Sequence, residues 1–185
     1  MKDTHELILR DGRAIHIRKI EPADAPALQA FFRELGPFSA RMFVPHQYTD
    51  EVIAARVERA VRGEDWVYVG LDGEEVVAYF FLWDVRKPFP VLGIGIADAW
   101  QDCGLGQKLM SILIDDAREL GRDGISLTTM LDNDRAYHIY LKMGFVDNGY
   151  VTHHLENGEL VEHSLFLPLK TGATPPAISD QNPAC

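Results

Sequence analysis

Gln101-Asp102-Cys103-Gly104-Leu105-Gly106 sets two glycines between an apolar run, Val91 to Ala97, and a helical pattern, Gln107 to Leu120. A strand, a glycine-bearing turn and a helix start in that order make an anion-binding device. The first N–H groups of a helix lack intrahelical partners, and the helix dipole adds positive potential there. Glycines let the backbone close on a phosphate with no Cβ in the way. The stretch therefore reads as a cradle for a phosphorylated cofactor. What the turn lacks narrows the choice. A P-loop needs Gly-Lys-Ser/Thr, but Gln107 and Lys108 follow Gly106, with no hydroxyl before Ser111. A dinucleotide fingerprint needs a third glycine where Leu109 stands.

The remaining pattern is Gln-x-x-Gly-x-Gly. It resembles the coenzyme A pyrophosphate loop of the GNAT superfamily of N-acetyltransferases. A second stretch strengthens the resemblance: Asn133-Asp134-Arg135-Ala136-Tyr137-His138-Ile139-Tyr140-Leu141-Lys142-Met143-Gly144-Phe145 is similar to the family's Asn-x-x-Ala-x-x-x-Tyr-x-x-x-Gly-Phe. Order and separation from the glycine turn also match. The resemblance covers about residues 15–167 and is weakest before Trp66.

The elements that must position these motifs follow from periodicity. An Asp11-Gly12 turn links a first hairpin. Leu28, Phe31, Phe32 and Leu35 mark a helix from about Ala25, with Asp24 as its cap. Residues 36–49 read as an irregular, aromatic-bearing loop, of the kind that often carries function. A charged helix, Asp50 to Arg62, precedes strands at Trp66 to Leu71 and Val76 to Val85. The run Val91 to Ala97 feeds the cradle; the helix Gln107 to Leu120 ends at Gly121. A strand at Ile125 to Met130, a helix at Asn133 to Met143 and a final hairpin around Glu156-Asn157-Gly158-Glu159 complete the order. Meander strands in the middle and crossovers late imply a mixed α/β sheet. The resemblance sharpens this to a GNAT fold: a mostly antiparallel central sheet splayed between two parallel strands and flanked by helices. Residues 1–169 form that domain, and 170–185 read as a flexible tail.

Composition sets outer limits. The chain has 185 residues, is 46% hydrophobic and carries a net charge of −10. The charge argues against a nucleic-acid partner and agrees with a cationic one. No apolar run approaches the roughly 18 residues of a membrane span. No secretory signal is legible, so a cytoplasmic location is expected. Cys103 and Cys185 fit no zinc spacing, and no metal is expected. A homodimer is left open.

The resemblance implies roles residue by residue. Acetyl-CoA is the cosubstrate and an amine the acceptor. The pantetheine arm would pair with the backbone of a bulged strand at Ile94, Gly95 and Ile96; Gly93 and Gly95 suit a bulge or a close approach. The pyrophosphate would meet Asp102, Cys103, Gly104, Leu105, Gly106 and Gln107, with the Asp102 side chain turned to solvent. Asn133 would stand near the pantetheine. Tyr140 would stand at the thioester sulfur as the acid, and a backbone N–H of Ile94 or Ile96 would hold the oxyanion. The base is missing, since Thr128 stands where the family often has glutamate. Candidates are Asp84, His46, Asp98, or a water chain on Thr128, Thr129 and Tyr68. His153 and His154 alternate across a strand and read as ordinary core and surface residues. Two rival readings are a coenzyme A-binding module without turnover and a nucleotide-binding αβ domain.

Overall fold

The computed structural model describes residues 4–155 and 158–176. Its chain order is β1 (Thr4–Ile8), β2 (Ala14–Lys19), α1 (Ala25–Glu34), α2 (Pro37–Met42), α3 (Asp50–Val61), β3 (Trp66–Asp72), β4 (Glu75–Trp83), β5 (Val91–Ile96), α4 (Leu105–Glu119), β6 (Gly124–Met130), α5 (Asp134–Lys142), β7 (Val146–Leu155) and β8 (Gly158–Pro168). The eight strands form one sheet in the order β1-β2-β3-β4-β5-β6-β8-β7. Among the described residues only β5 and β6 pair in parallel; every other pair is antiparallel. The expected mixed sheet with a parallel pair is present.

Burial explains the layers. Residues Val76 to Leu82 of β4 are all buried, as a strand covered on both faces must be. One face of the sheet packs on α4 through Ile17, Tyr68, Phe80, Leu92, Leu109 and Leu113. The other packs on α1 and α3 through Phe31, Phe32, Ile53, Val69, Tyr79 and Phe81. The apolar spacing of α1 and α4 thus faces two separate cores. Burying one such Phe or Leu side chain stabilises by about 2–3 kcal/mol.

Three local expectations need correction. Asp24 does stand at the N-cap of α1, but its side chain makes no cap hydrogen bond there. Its carboxylate takes two hydrogen bonds from Arg18, at 2.6 and 2.7 Å, and one from the Glu21 N–H at 2.7 Å. A bidentate guanidinium is a stronger partner than one backbone donor. Residues 36–49 are not wholly irregular: Pro37 starts the short α2, and Asp98 pins it by accepting from the Gly36 N–H at 3.0 Å and from the Ser39 hydroxyl. Helix α4 begins at Leu105 rather than Gln107, so Gly106 belongs to its first turn. At the domain's end the Leu169 N–H, and in the expected tail the Lys170 N–H, donate to the Asp123 carbonyl at 2.9 and 3.1 Å. Residues 177–185, and Glu156 and Asn157 of the hairpin turn, lie outside the described residues.

Candidate active site

β5 and β6 meet at a single parallel bridge, Val91 beside Ser126, and then part. The Ser126 N–H donates to the Pro90 carbonyl at 3.0 Å, so the main-chain groups of residue 90 face β6. Backbone direction alternates along a strand. The groups of Leu92, Ile94 and Ile96 therefore face the gap, and those of Gly93 and Gly95 face β4. The Ala97 N–H, which donates to Val77 of β4 at 2.9 Å, keeps the same alternation. Ile94 thus turns both main-chain groups to the gap left where β6 parts, and Ile96 its N–H, its carbonyl accepting from Gln101 Nε2 at 3.1 Å. Gly95 does not; its contribution is a bare Cα. A Cβ there would stand 2.3 Å from the Phe43 ring, and one on Gly93 would stand 2.1 Å from the Phe81 ring. The glycines make room for aromatic rings and do not mark a bulge, since β5 keeps unbroken register with β4 from Val91 to Ile96.

The glycine turn is built as its sequence implied. Gly104 holds φ +82° at the N-cap of α4, and no side chain caps the helix, so its first N–H groups stay open to an anion. Buried Cys103 and Leu105 anchor the turn from below. The Cys103 thiol donates to the Trp100 carbonyl at 2.9 Å. Asp102 points to solvent, as expected, with its side chain 83% exposed, and pairs with Arg135 of α5 at 2.8 Å. Gln101 is structural: its Nε2 donates to the Ile96 carbonyl at 3.1 Å and to the Ser39 hydroxyl at 2.9 Å. Gln107 lies half-buried and, with Lys108, lines a hollow of about 420 Å³ that the β1–β2 turn closes.

Arg10 comes from that turn and went unnoticed in the sequence. Its guanidine Nε lies 3.2 Å from where a Gly104 Cβ would be. No ion pair or hydrogen bond to a described residue engages it. A cation from a distant hairpin leaves no local motif, so only the fold reveals it.

A larger cleft of about 1130 Å³ joins these parts. Its walls include Ile94, Ile96, Gly104, Asn133 and Tyr140, and it continues to residues 38–47. Asn133 caps α5 by accepting from the Ala136 N–H at 3.4 Å. Tyr140 is half-buried, with its ring edge-on to Phe145 at 5.7 Å between centroids. Its hydroxyl has no hydrogen bond to a described residue. Burial pushes this phenol up to about 12.

The base candidates separate clearly. Tyr68 is excluded: it is buried on the α4 face and donates to Asp116 at 2.7 Å. Asp98 is spent on pinning α2 and on Gln101. Burial alone would raise the Asp84 carboxyl, but Lys87 and Arg59 hold it below the usual carboxylate range, which makes it a poor base. His46 is buried, and burial reinforced by the Arg56 charge keeps it neutral. Its Nδ1–H donates to the Gln47 carbonyl at 2.7 Å, and its Nε2 has no partner. Trp83 Nε1 and Tyr79 Oη lie buried beside it. Thr128 is exposed in the cleft and Thr129 is buried. His153 and His154 do face opposite sides, but His153 is more than a core residue. It lines the cleft with Glu162, its Nε2 2.9 Å from Glu162 Oε2. Among the described residues no group of His, Cys, Asp and Glu has the arrangement of a metal site.

The sheet is thus opened along one parallel seam, with an uncapped helix start and a phenol on the opening. The family model of the acetyltransferase (GNAT) family matches residues 20–145, and the chain belongs to that family. Among solved structures it is similar to the ribosomal-protein-S5-alanine acetyltransferase of Vibrio fischeri, with TM-score 0.73 and 16% identity over 92% of this chain and 99% of that one. It is similar to the GNAT domain of S. lividans PAT, with TM-score 0.71 and 18% identity over 90% and 97%. It is also similar to yncA of Salmonella typhimurium, a structure holding its cofactor acetyl-CoA, with TM-score 0.69 and 21% identity over 88% and 98%. No curated protein sequence matches the chain. No helix among the described residues is long and apolar enough to cross a membrane.

Proposed function

We propose that this chain transfers the acetyl group of acetyl-CoA directly to a primary amine. The observation that carries the reading is the β5–β6 gap, where the edge groups of Ile94 and Ile96 and the free phenol of Tyr140 share one cleft with an uncapped helix N-terminus. The residues fit acetyl-CoA. The N–H groups of Gly104, Leu105, Gly106 and Gln107, with Cys103 and Asp102 leading into the turn, would hold the pyrophosphate. Arg10 and Lys108 add the positive charge that Asp102 lacks. Ile94 and Ile96 would pair with the pantetheine arm, and Asn133 would approach it from α5.

The chemistry supplied by the thioester is an activated acetyl group. The Ile94 or Ile96 N–H, rigid in the sheet, stabilises the carbonyl oxygen as it gains charge. Tyr140 stays protonated at neutral pH, since its phenol stands near 12. Full proton transfer to a thiolate of ordinary pKa, about 8.5, is uphill from such a phenol. Its main role is therefore hydrogen-bond donation to the departing sulfur. Residues 38–47 form the acceptor wall, with Phe38, Phe43 and Pro45.

The test is a thiol-release assay over a panel of primary amines, paired with thermal shifts under acetyl-CoA, ATP and NAD. Amine-dependent thiol release with protection by acetyl-CoA supports transfer. Protection without thiol makes the chain a coenzyme A-binding module, and protection by ATP or NAD alone removes the reading.

A further inference from the structure

The cleft opens on two faces of the sheet, and they differ in chemistry. Ile139 and Tyr140 pack toward the core that contains α4, on the pyrophosphate side. Paired residues share a face, so Val91, Gly93, Gly95 and Ser126 point to the opposite side, beneath Phe43 and Phe81. Thr128 and Met130 follow Ser126 on that side. Ser164 pairs with Thr128, Glu162 pairs with Met130, and Val151 of β7 pairs with Glu162. His153, two residues beyond Val151, shares the face and reaches the Glu162 carboxylate at 2.9 Å. With Val91 level with Ser126 and the strands parallel, Met130 stands level with Gly95. The register thus brings Glu162 to the height of Ile94–Ile96, on the face away from α4.

We propose that Glu162, on β8, receives the acceptor's ammonium group and takes its proton, with His153 positioning the carboxylate. This rests on the acetyl-transfer reading and supplies the base missing at Thr128. The side chains of Glu162 and His153 are 15% and 11% exposed, so the pair is enclosed yet reachable. In such surroundings a carboxylate attracts a cation far more strongly than in water. Competing charges are engaged elsewhere: Arg41 with Asp132, Arg135 with Asp102, and Asp84 with Arg59 and Lys87. Arg56 lies over the Trp83 ring at 4.0 Å. From β6, the neighbours Thr128 and Met130 bring no charge. In the step, one N–H bond of the ammonium breaks and one O–H bond forms on Glu162. Nitrogen keeps the electron pair for attack, and the proton then leaves to water.

Two measurements test this. With the best amine of the panel, Glu162→Gln should lower kcat/KM about 10²-fold at pH 7. The loss should shrink as pH approaches the amine's own pKa, where no base is required. His154→Ala, on the opposite face, should change little, and the thermal shift with coenzyme A should stay as in wild type. The second measurement is a double-mutant cycle with the same amine. His153→Ala should lower kcat/KM several-fold in the wild-type background and change little in Glu162→Gln, because the carboxylate it positions is already gone. An active wild type with an equally active Glu162→Gln, or a loss that persists undiminished at high pH, overturns the proposal and leaves acetyl transfer standing. Equal losses from His153→Ala in the two backgrounds overturn the pairing. A wild type that releases no thiol with any amine removes the acetyl-transfer reading beneath it.

Discussion

Replacing Tyr140 with phenylalanine isolates one oxygen atom. The ring keeps its edge contact with Phe145, and the hydroxyl holds no described residue, so its removal orphans no partner. Stability should therefore change by less than about 1 kcal/mol, a shift of no more than a few degrees in Tm for a domain of this size. Catalysis should change far more. The phenol stands near 12, so it presents a proton throughout the working range. A donor aimed at developing charge in a water-poor site is worth about 2.7–4 kcal/mol, or 10²–10³ in rate. The assay is thiol release at saturating amine and saturating acetyl-CoA. We expect kcat to fall by 10²–10³, with KM for acetyl-CoA shifting only a few-fold. Because wild-type Tyr140 does not ionise below about pH 11, the ratio of the two kcat values should stay flat from pH 6 to 9. An unchanged kcat with confirmed saturation removes Tyr140 from the mechanism. A large loss of Tm would show that the hydroxyl has a structural partner instead.

Other substitutions probe the remaining parts. Arg10→Ala should weaken acetyl-CoA binding about 10-fold by calorimetry, the scale of one charge-assisted contact, and should flatten the salt dependence of that binding. Equal affinity and an equal salt slope would take Arg10 out of the cofactor site. Gly95→Ala places a methyl 2.3 Å from the Phe43 ring and should destabilise by about 1–3 kcal/mol in urea unfolding, while raising KM for the amine as residues 38–47 are displaced. A wild-type midpoint would mean that Phe43 moves aside freely. His46 has a folded pKa below its ordinary 6.5: burial lowers it most, the hydrogen bond to Gln47 opposes, and the Arg56 charge adds a smaller lowering. Above pH 6.5 both states are neutral and no cost arises. As pH falls below that value, the unfolded chain binds the proton that the folded chain refuses, so stability declines toward the folded pKa. His46→Gln should remove this component, giving a shallower fall between pH 7 and 5; parallel curves would refute it.

Much of this was readable in the chain itself, because the informative signals are local. Gly104 and Gly106 sit at a helix start, Asn133 caps the next helix, and Tyr140 lies seven residues on; the family resemblance supplied their roles, and all four line one cleft. The family resemblance named Ile94, Gly95 and Ile96; pairing turns the main-chain groups of the two isoleucines to the gap and those of Gly95 to β4. What escaped notice depends on pairing between distant strands. Arg10 reaches Gly104 only because α4 packs across the face that the β1–β2 hairpin borders. Glu162 enters the cleft only because β8 inserts between β6 and β7, an order that no neighbouring residues encode. The bulge was misread for a related reason: a glycine in a strand signals a close approach but does not say of what, and here Phe43 and Phe81 are the answer.

The most direct measurement is a crystal structure with coenzyme A bound. The account predicts the pantetheine in the β5–β6 gap, hydrogen-bonded to the main chain of Ile94 and Ile96 at about 3 Å, the pyrophosphate at the α4 start, and the sulfur within about 3.5 Å of the Tyr140 oxygen. Coenzyme A seated elsewhere, or the two strands closed against each other with the phenol away from the sulfur, would contradict it.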